Sequence, residues 1–340
     1  MRPGMLSFIA IGAICLIAIL ILIFPHGEKE SILILHAGSL SIPFSHLADK
    51  FEEEYGIVAR REAAGSVATI KKVTELGKRA DVVASADYSL IENMMEGSNT
   101  ADYCIQFAAN SMTIAYTNKS LYHDEINSSN WYEILEKKNV RFGFSDPNKD
   151  PCGYRAIMSV KLADIYYNRS IFHELIERNT PIKGEENNGS YIIYVPDSID
   201  LSSNKKVMMR DMEVNLIASL EAGEIDYLFI YRSVAIQHAP SGVKFINLPP
   251  QIDLSQNKFA DLYKKVSVRF HDGRSMEAKP IVYGITIPKN APHPDAAIKF
   301  LKMLLGEEGK KILEESGQIP ISPKCDNKDL LPPALKPYVE

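Results

Sequence analysis

The chain has 340 residues, enough for two domains of ordinary size, and its 46% apolar and 24% charged side chains are the balance of a globular protein. A net charge of −5 excludes a nucleic-acid backbone as the main partner, because binding phosphate backbone needs a clustered basic surface. A small anion stays admissible, since a few well-placed donors outweigh net charge locally.

The first element is apolar. Met5 to Phe24 is hydrophobic apart from Ser7, Arg2 precedes it, and Glu28, Lys29 and Glu30 follow. Such a run is long enough to span a bilayer at helical rise, and the charge placement leaves the rest of the chain outside the cell. No small-x-small cleavage site follows. Residues 1–30 are therefore expected to be a hydrophobic anchor helix and linker, with release after signal cleavage as the alternative. Cys15 lies inside this run next to a bulky Ile14, a poor lipoprotein signal. Cys104, Cys152 and Cys325 form an odd set without CxxC spacing, which allows one disulfide and argues against zinc. Sequons at Asn118, Asn127, Asn168 and Asn188 fit an extracellular location.

From residue 31 onward strands and helices alternate. Ile32–Leu35 reads as a buried strand. Ile42–Tyr55 reads as a helix, with Phe44, Leu47, Ala48, Phe51 and Tyr55 on one face and Gly56 as its stop. Val58–Ala63, Val82–Ala84 and Ser111–Tyr116 are predicted strands; Val67–Leu76 and Tyr88–Met95 are predicted helices. This rhythm predicts a mostly parallel sheet covered by helices. Further on, Asn130–Lys138, Tyr154–Tyr167, Glu213–Ala222 and Ser233–Gln237 read as helices. Arg141–Phe144, Ser190–Val195, Ile225–Tyr231, Leu262–Phe270 and Ile281–Ile287 read as strands. Much of the polar stretch 179–206 reads as loop. Gly284 inside a strand marks a bend, and Asp295–Leu305 with Glu308–Glu315 closes the chain as a helical pair.

Three strand–turn–helix junctions carry polar chemistry. Gly38-Ser39 follows the first strand and Gly65-Ser66 follows the second. A helix N-terminus presents free N–H groups and the positive end of its dipole, Gly lets a ligand approach, and Ser adds a hydroxyl. Both serines also suit plain N-capping; two such elbows at the carboxyl ends of neighbouring strands favour an anion site. The third junction, Asp150-Pro151-Cys152-Gly153, either caps its helix with Pro near N1 or turns Asp150 and the Cys152 amide toward a ligand. Tyr154 and Arg155 read as packing and surface residues. Glu213 at a helix start and Tyr231 at a strand end are not singled out by spacing alone. His36 beside the first elbow reads as a packed residue, and no Gly-x-Ser-x-Gly or His-Glu-x-x-His pattern supports a hydrolase.

The strings His36-Ala37-Gly38-Ser39-Leu40, Asp81-Val82-Val83-Ala84-Ser85-Ala86-Asp87-Tyr88, Asp150-Pro151-Cys152-Gly153-Tyr154-Arg155, Gly223-Glu224-Ile225-Asp226-Tyr227 and Ala278-Lys279-Pro280-Ile281-Val282-Tyr283-Gly284-Ile285 resemble the archaeal tungstate/molybdate-binding proteins, the substrate-binding components of an ABC importer. The resemblance runs from about Ser31 to near Leu331. It implies an α/β, type II periplasmic-binding-protein fold, with two lobes, a central cleft and chain crossings near 108–116 and 283–287. Lobe one would comprise 31–112 and 285–340, and lobe two 113–284. It further implies a monomer that captures tungstate or molybdate without a cofactor, at the outer face of the membrane, and hands it to a permease and ATPase complex.

Carried over by motif, Gly38, Ser39 and Ser66 would line the oxyanion site from lobe one. Asp150, Pro151, Cys152, Glu213 and Tyr231 would line it from lobe two, with the Cys152 amide and the Tyr231 phenol as donors. Asp150 and Glu213 would approach the metal itself and complete six-fold coordination. The stretch Val207–Met212 departs from the Arg-Pro-Lys-like lead expected before Glu213, which makes Asp211 the fallback. Two carboxylates beside a dianion repel it unless they are protonated or bind the metal as hard oxygen ligands. Tungsten and molybdenum accept such extra oxygens and sulfur does not readily, which would reject sulfate. A sulfate site would use neutral donors only; a phosphate site would be compatible with Asp150 alone.

Overall fold

The computed structural model describes residues 30–202 and 204–340. The expected anchor helix and Cys15 lie outside the described residues. Among those described, no helix is long and apolar enough to cross a membrane.

Two mixed sheets organise the chain. The first has six strands in the order β15-β4-β14-β3-β1-β2. Its members are β1 (Ser31–Ala37), β2 (Val58–Ala64), β3 (Val82–Ser85), β4 (Ile105–Ala109), β14 (Val282–Thr286) and β15 (Ile319–Cys325). The second has five, in the order β11-β5-β10-β6-β9: β5 (Met112–Tyr116), β6 (Phe142–Ser145), β9 (Val207–Arg210), β10 (Tyr227–Tyr231) and β11 (Lys244–Asn247). A four-stranded sheet flanks the second lobe, built from β7 (Lys183–Asn187), β8 (Ser190–Val195), β12 (Val266–Phe270) and β13 (Ser275–Glu277).

The α/β two-lobed architecture is present, but the sheets are not mostly parallel. β1 pairs parallel with β2 and β3, as right-handed strand–helix–strand units require. β14 and β15 then add antiparallel. In the second sheet β10–β6 and β6–β9 are parallel, whereas β5 pairs antiparallel with β10 and β11. The antiparallel members β14 and β5 are the strands through which the chain enters each lobe from the other, so their direction is not set by a crossover helix.

The crossings also correct the expected lobe limits. β4 ends at Ala109 and β5 begins at Met112, so the chain changes sheet at Asn110–Ser111 and Met112 belongs to the second sheet. It returns ahead of Val282, and Val282–Gly284 belong to the first sheet because they pair with β4 and Gly284 also with β3. The register slips between Tyr283 and Gly284. A Cβ on Gly284 would stand 2.7 Å from the Tyr88 backbone, so the bend reflects a close approach of main chains.

Two other expectations shift. The predicted strand Leu262–Phe270 is a short helix, Ala260–Tyr263, followed by β12. The stretch 179–206 contains a hairpin, β7–β8, turning at Asn188 (φ 49°) and Gly189 (φ 80°). The Asn-Gly pair is the sequence most suited to two successive left-handed residues.

Packing follows pattern. Phe44 and Phe51 of the helix Ser41–Tyr55 meet Phe300 edge-on, with ring centroids 5.7 and 5.5 Å apart. This docks the helix Pro294–Leu305 on lobe one. The helix Pro151–Tyr167 is buried along most of its length in lobe two, and its N-terminus points at the lobe interface.

Candidate functional site

The three junctions meet between the lobes. β1 runs into a 3₁₀ turn, Gly38–Leu40, in which Ser39 is fully buried. The Ser39 hydroxyl accepts a hydrogen bond from the Tyr283 phenol at 3.0 Å, and its carbonyl accepts one from Gln318 Nε2 at 2.9 Å. A Cβ on Gly38 would stand 3.4 Å from Glu213 Oε2 and 3.2 Å from Val214. The elbow thus lies close against Val214 and Glu213 of the opposite lobe, with Val214 the tighter neighbour.

Ser66 opens the helix Ser66–Thr74, is fully buried, and accepts the Ala86 amide at 2.9 Å. The next two amides of that helix, Val67 and Ala68, both point at the Lys149 carbonyl of lobe two, at 3.1 and 3.4 Å. Part of the anion-binding capacity expected of this N-terminus is thus spent on holding the other lobe. A Cβ on Gly65 would fall 2.3 Å from the same carbonyl.

From lobe two, Asp150 caps the helix Pro151–Tyr167. Its Oδ1 accepts the Cys152 amide at 3.2 Å and its Oδ2 accepts the Glu213 amide at 3.1 Å. Pro151 sits in the first turn, where its missing N–H costs nothing. The Cys152 amide, expected to face a ligand, is therefore engaged by its own cap, and burial pushes the Cys152 thiol up. Glu213 is 1% exposed; among the described residues no donor reaches either of its carboxyl oxygens, and its hydrogen-bonding neighbour is the Asp150 carboxyl, a contact that can form only through a shared proton. Burial, and then the adjacent Asp150, raise its pKa well above the ordinary value. Asp211, the fallback, lies out on the surface and pairs with Lys149 at 2.7 Å. His36 is packed on Phe44, bonded to the Ala37 carbonyl, and held neutral, near 4, by burial.

Several residues of this region were not legible as functional. Arg155, expected at the surface, is 2% exposed. Its Nη1 donates to the Tyr231 phenol and to the Ala86 carbonyl, each at 2.7 Å, and its Nη2 lies 3.0 Å from Asp87. Tyr154 also donates to Asp87, at 2.8 Å. Burial alone would raise Asp87, but Arg155 and Lys279 outweigh it and hold the carboxyl near 2. The Asp87 cap on Ser89 is readable as Asp-x-Ser; nothing in the helical pattern marks Arg155.

No group of three or more His, Cys, Asp or Glu side chains suited to a metal ion occurs among the described residues. Cys104, Cys152 and Cys325 carry free thiols. The arrangement brings the Gly38 elbow of lobe one against Glu213 of lobe two, and the Gly65 elbow against Lys149 and Asp150. Two α/β lobes joined by two crossings, with buried polar side chains facing each other across the junction, define a solute-binding protein. The model of the bacterial extracellular solute-binding protein family matches residues 32–318, and the chain belongs to that family. Its members capture a solute and do not transform it.

The chain is 48% identical over 307 residues to molybdate/tungstate-binding protein WtpA of Pyrococcus abyssi, covering 87% of each chain. It is 46% identical over 307 residues to molybdate/tungstate-binding protein WtpA of Thermococcus kodakarensis, covering 87% of this chain and 84% of that protein. Among solved structures, the periplasmic molybdate-binding protein of Azotobacter vinelandii superposes with a TM-score of 0.59 at 15% identity, over 85% of this chain and 98% of that one. The sulfate-binding protein SubI of Mycobacterium tuberculosis gives 0.59 at 13% identity, over 86% and 87%. At such identities these structures show the shared fold alone.

Proposed function

We propose that this protein captures tungstate or molybdate outside the cell and delivers it to an ABC importer, as a monomer held at the membrane by its N-terminal segment. Ser39 and Ser66 from one lobe and Tyr231 from the other donate to the oxyanion, with Gly38, Pro151 and Cys152 shaping the contact. Asp150 and Glu213 approach the metal and bring its oxygen coordination to six.

One observation carries this reading: both oxygens of Glu213 are buried and reached by no donor, with a second carboxyl as their neighbour. A buried polar group without a partner costs on the order of 1–3 kcal/mol, and more if charged. At an effective dielectric near 20, two unit charges about 4 Å apart repel by roughly 4 kcal/mol. A tetrahedral anion whose centre accepts no further ligand adds to the repulsion while both carboxyls are ionised, and gains one hydrogen bond where Glu213 keeps its proton. A hard, high-valent metal that takes up carboxylate oxygens relieves both costs. The relatives named for molybdate and tungstate support the same ligand class.

Titration calorimetry of the full chain in detergent, with tungstate, molybdate and sulfate in competition, tests the reading. Tungstate and molybdate should bind and sulfate should compete poorly. In the Asp150→Asn, Glu213→Gln double variant the preference over sulfate should narrow. A preference left unchanged would sink metal coordination by these carboxyls, and tighter binding of phosphate than of either metal oxyanion would favour a phosphate carrier.

A further inference from the structure

Away from the cleft, an acidic chain gathers cations around one cavity. The net charge is −5, yet an open concavity of about 460 Å³ is lined by Lys138, Asn139, Arg141, Asn204, Lys205 and Lys206. Four of these six side chains are basic and none is acidic. Among the described residues, no carboxylate lies within ion-pair distance of any of the four. Other lysines of the chain are paired: Lys72 and Lys78 share Glu62, and Lys149 meets Asp146 and Asp211.

The two strands that carry the carboxyls of the cleft also place this cavity. β6 and β9 run parallel, with Phe142 opposite Val207. Asp150 and Glu213 follow their carboxyl ends, whereas Arg141 and Lys206 stand directly before their amino ends. The cavity and the cleft therefore lie at opposite ends of the same sheet. Main-chain bonds hold the cations there. Arg141 Nε donates to the Lys205 carbonyl at 2.9 Å, the Phe142 amide donates to the Lys206 carbonyl at 3.0 Å, and Lys206 Nζ donates to the Lys137 carbonyl. The terminal nitrogens of Arg141 and the rest of the Lys206 ammonium keep their hydrogens free.

Burial pushes the Lys206 ammonium down to about 8, and Asp226 and Glu136 offset that only in part. Neither of those carboxyls lines the cavity. Asp226 is taken by the backbone amides of Leu121 and Arg141, each at 2.8 Å, and burial pushes the Glu136 carboxyl up. A half-buried cation of this kind is stabilised by an anion seated beside it.

We propose that this cavity is a second anion site, remote from the cleft, for a soluble anion built of linked phosphoryl groups. One tetrahedral anion is small against such a volume, whereas linked phosphoryl groups reach more of its cations. The Arg141 fork suits paired phosphoryl oxygens, and the lysines act as point charges. A concave site also fits a small ligand better than a flat membrane surface. The described chain starts at the amino end of β1, in lobe one, far from this end of lobe two. A membrane holding the N-terminal segment would thus meet the other lobe. Nothing in this site depends on what the cleft binds.

Calorimetry of the full chain in detergent at low ionic strength, with pyrophosphate as the probe, should show binding that weakens as salt is added. Affinity should fall about tenfold or more in the Arg141→Gln, Lys206→Gln double variant, which removes two charge-assisted contacts. The Lys138→Gln, Lys205→Gln variant alters exposed side chains, should act in the same direction, and keeps the test open should the first variant not fold. Pyrophosphate can also enter the cleft, so its position is read separately. Reductive methylation followed by mass spectrometry should slow at Lys138, Lys205 and Lys206 when pyrophosphate is present, with Lys50 and Lys310 of lobe one unaffected. An affinity unchanged in both variants, or no protection of the three lysines, would overturn the proposal. So would protection on reconstitution into phosphatidylglycerol vesicles with none from pyrophosphate, which would make this face a lipid-binding surface.

Discussion

Glu213 is where the energetics of the site concentrate. Its carboxyl is buried, reached by no donor and set against the Asp150 carboxyl. Its pKa in the folded chain stands above its ordinary value of 4.5, so the stability it lends is fully present below that pH and is lost as pH rises through the raised value. The ligand-free protein should therefore lose stability between acidic and neutral pH. Glu213→Gln removes the ionisation and should flatten this slope. It should also stabilise the ligand-free protein at neutral pH, because the amide carries no cost of binding a proton there. Thermal unfolding across pH, without ligand, measures it. A Gln variant less stable than the parent at neutral pH would show that Glu213 is a structural group whose partners lie elsewhere in the site.

At the scale of elements, the junction between Gly65 and Lys149 shows how a helix N-terminus clamps the opposite lobe. Gly65 has an ordinary backbone (φ −57°, ψ 141°), so Ala there strains nothing within its own lobe. Its Cβ would nonetheless fall 2.3 Å from the Lys149 carbonyl, a main-chain atom that no side-chain rotation can move aside. Overpacking of this kind costs about 1–3 kcal/mol. Gly65→Ala should accordingly weaken tungstate binding by about ten- to a hundredfold while circular dichroism shows the ligand-free melting little changed. Loss of ligand-free stability equal to the loss of binding would mean that the two lobes do not separate at this contact.

The same junctions explain which parts of the fold could be read in advance. Gly-Ser after an apolar strand and Asp-Pro before an apolar helix are local signals, and Ser39, Ser66 and Asp150 stand where those signals put them. The Asn188-Gly189 hairpin carried an equally local signal within a stretch whose polarity suggested loop. β4 and β15 pair across more than 200 residues and show no alternation: Ile105-Gln106-Phe107-Ala108-Ala109 is mostly buried on both faces, and Ile319–Cys325 contains two prolines. Arg155 was misplaced because its partners, Ala86, Asp87 and Tyr231, lie on other elements, and a cation within a helix ordinarily marks the solvent face.

For the whole molecule, the Asp87–Arg155 pair links the lobes at a buried point. Asp87 follows β3 of the first sheet, and Arg155 belongs to the lobe-two helix. Arg155 and Lys279 together offset the Asp87 charge where the lobes meet. Breaking a buried pair from one side costs about 3–5 kcal/mol because the remaining charge is stranded. That cost falls on closure and not on the core of either lobe. Asp87 is held near 2, below its ordinary 3.8, so the link persists at neutral and mildly acidic pH and is lost only as pH falls from 3.8 through about 2. Asp87→Asn preserves the side-chain oxygen that caps Ser89 and removes the charge, together with the oxygen that accepts from the Tyr154 phenol and faces Arg155. Its tungstate affinity should drop by about a hundredfold or more, chiefly through faster release. X-ray scattering at saturating tungstate should show a larger radius of gyration than the parent, with the ligand-free curves unchanged. An affinity within twofold of the parent and an identical ligand-bound curve would mean that the pair braces the closed state without determining it, leaving closure to the ligand and the Gly65–Lys149 contact.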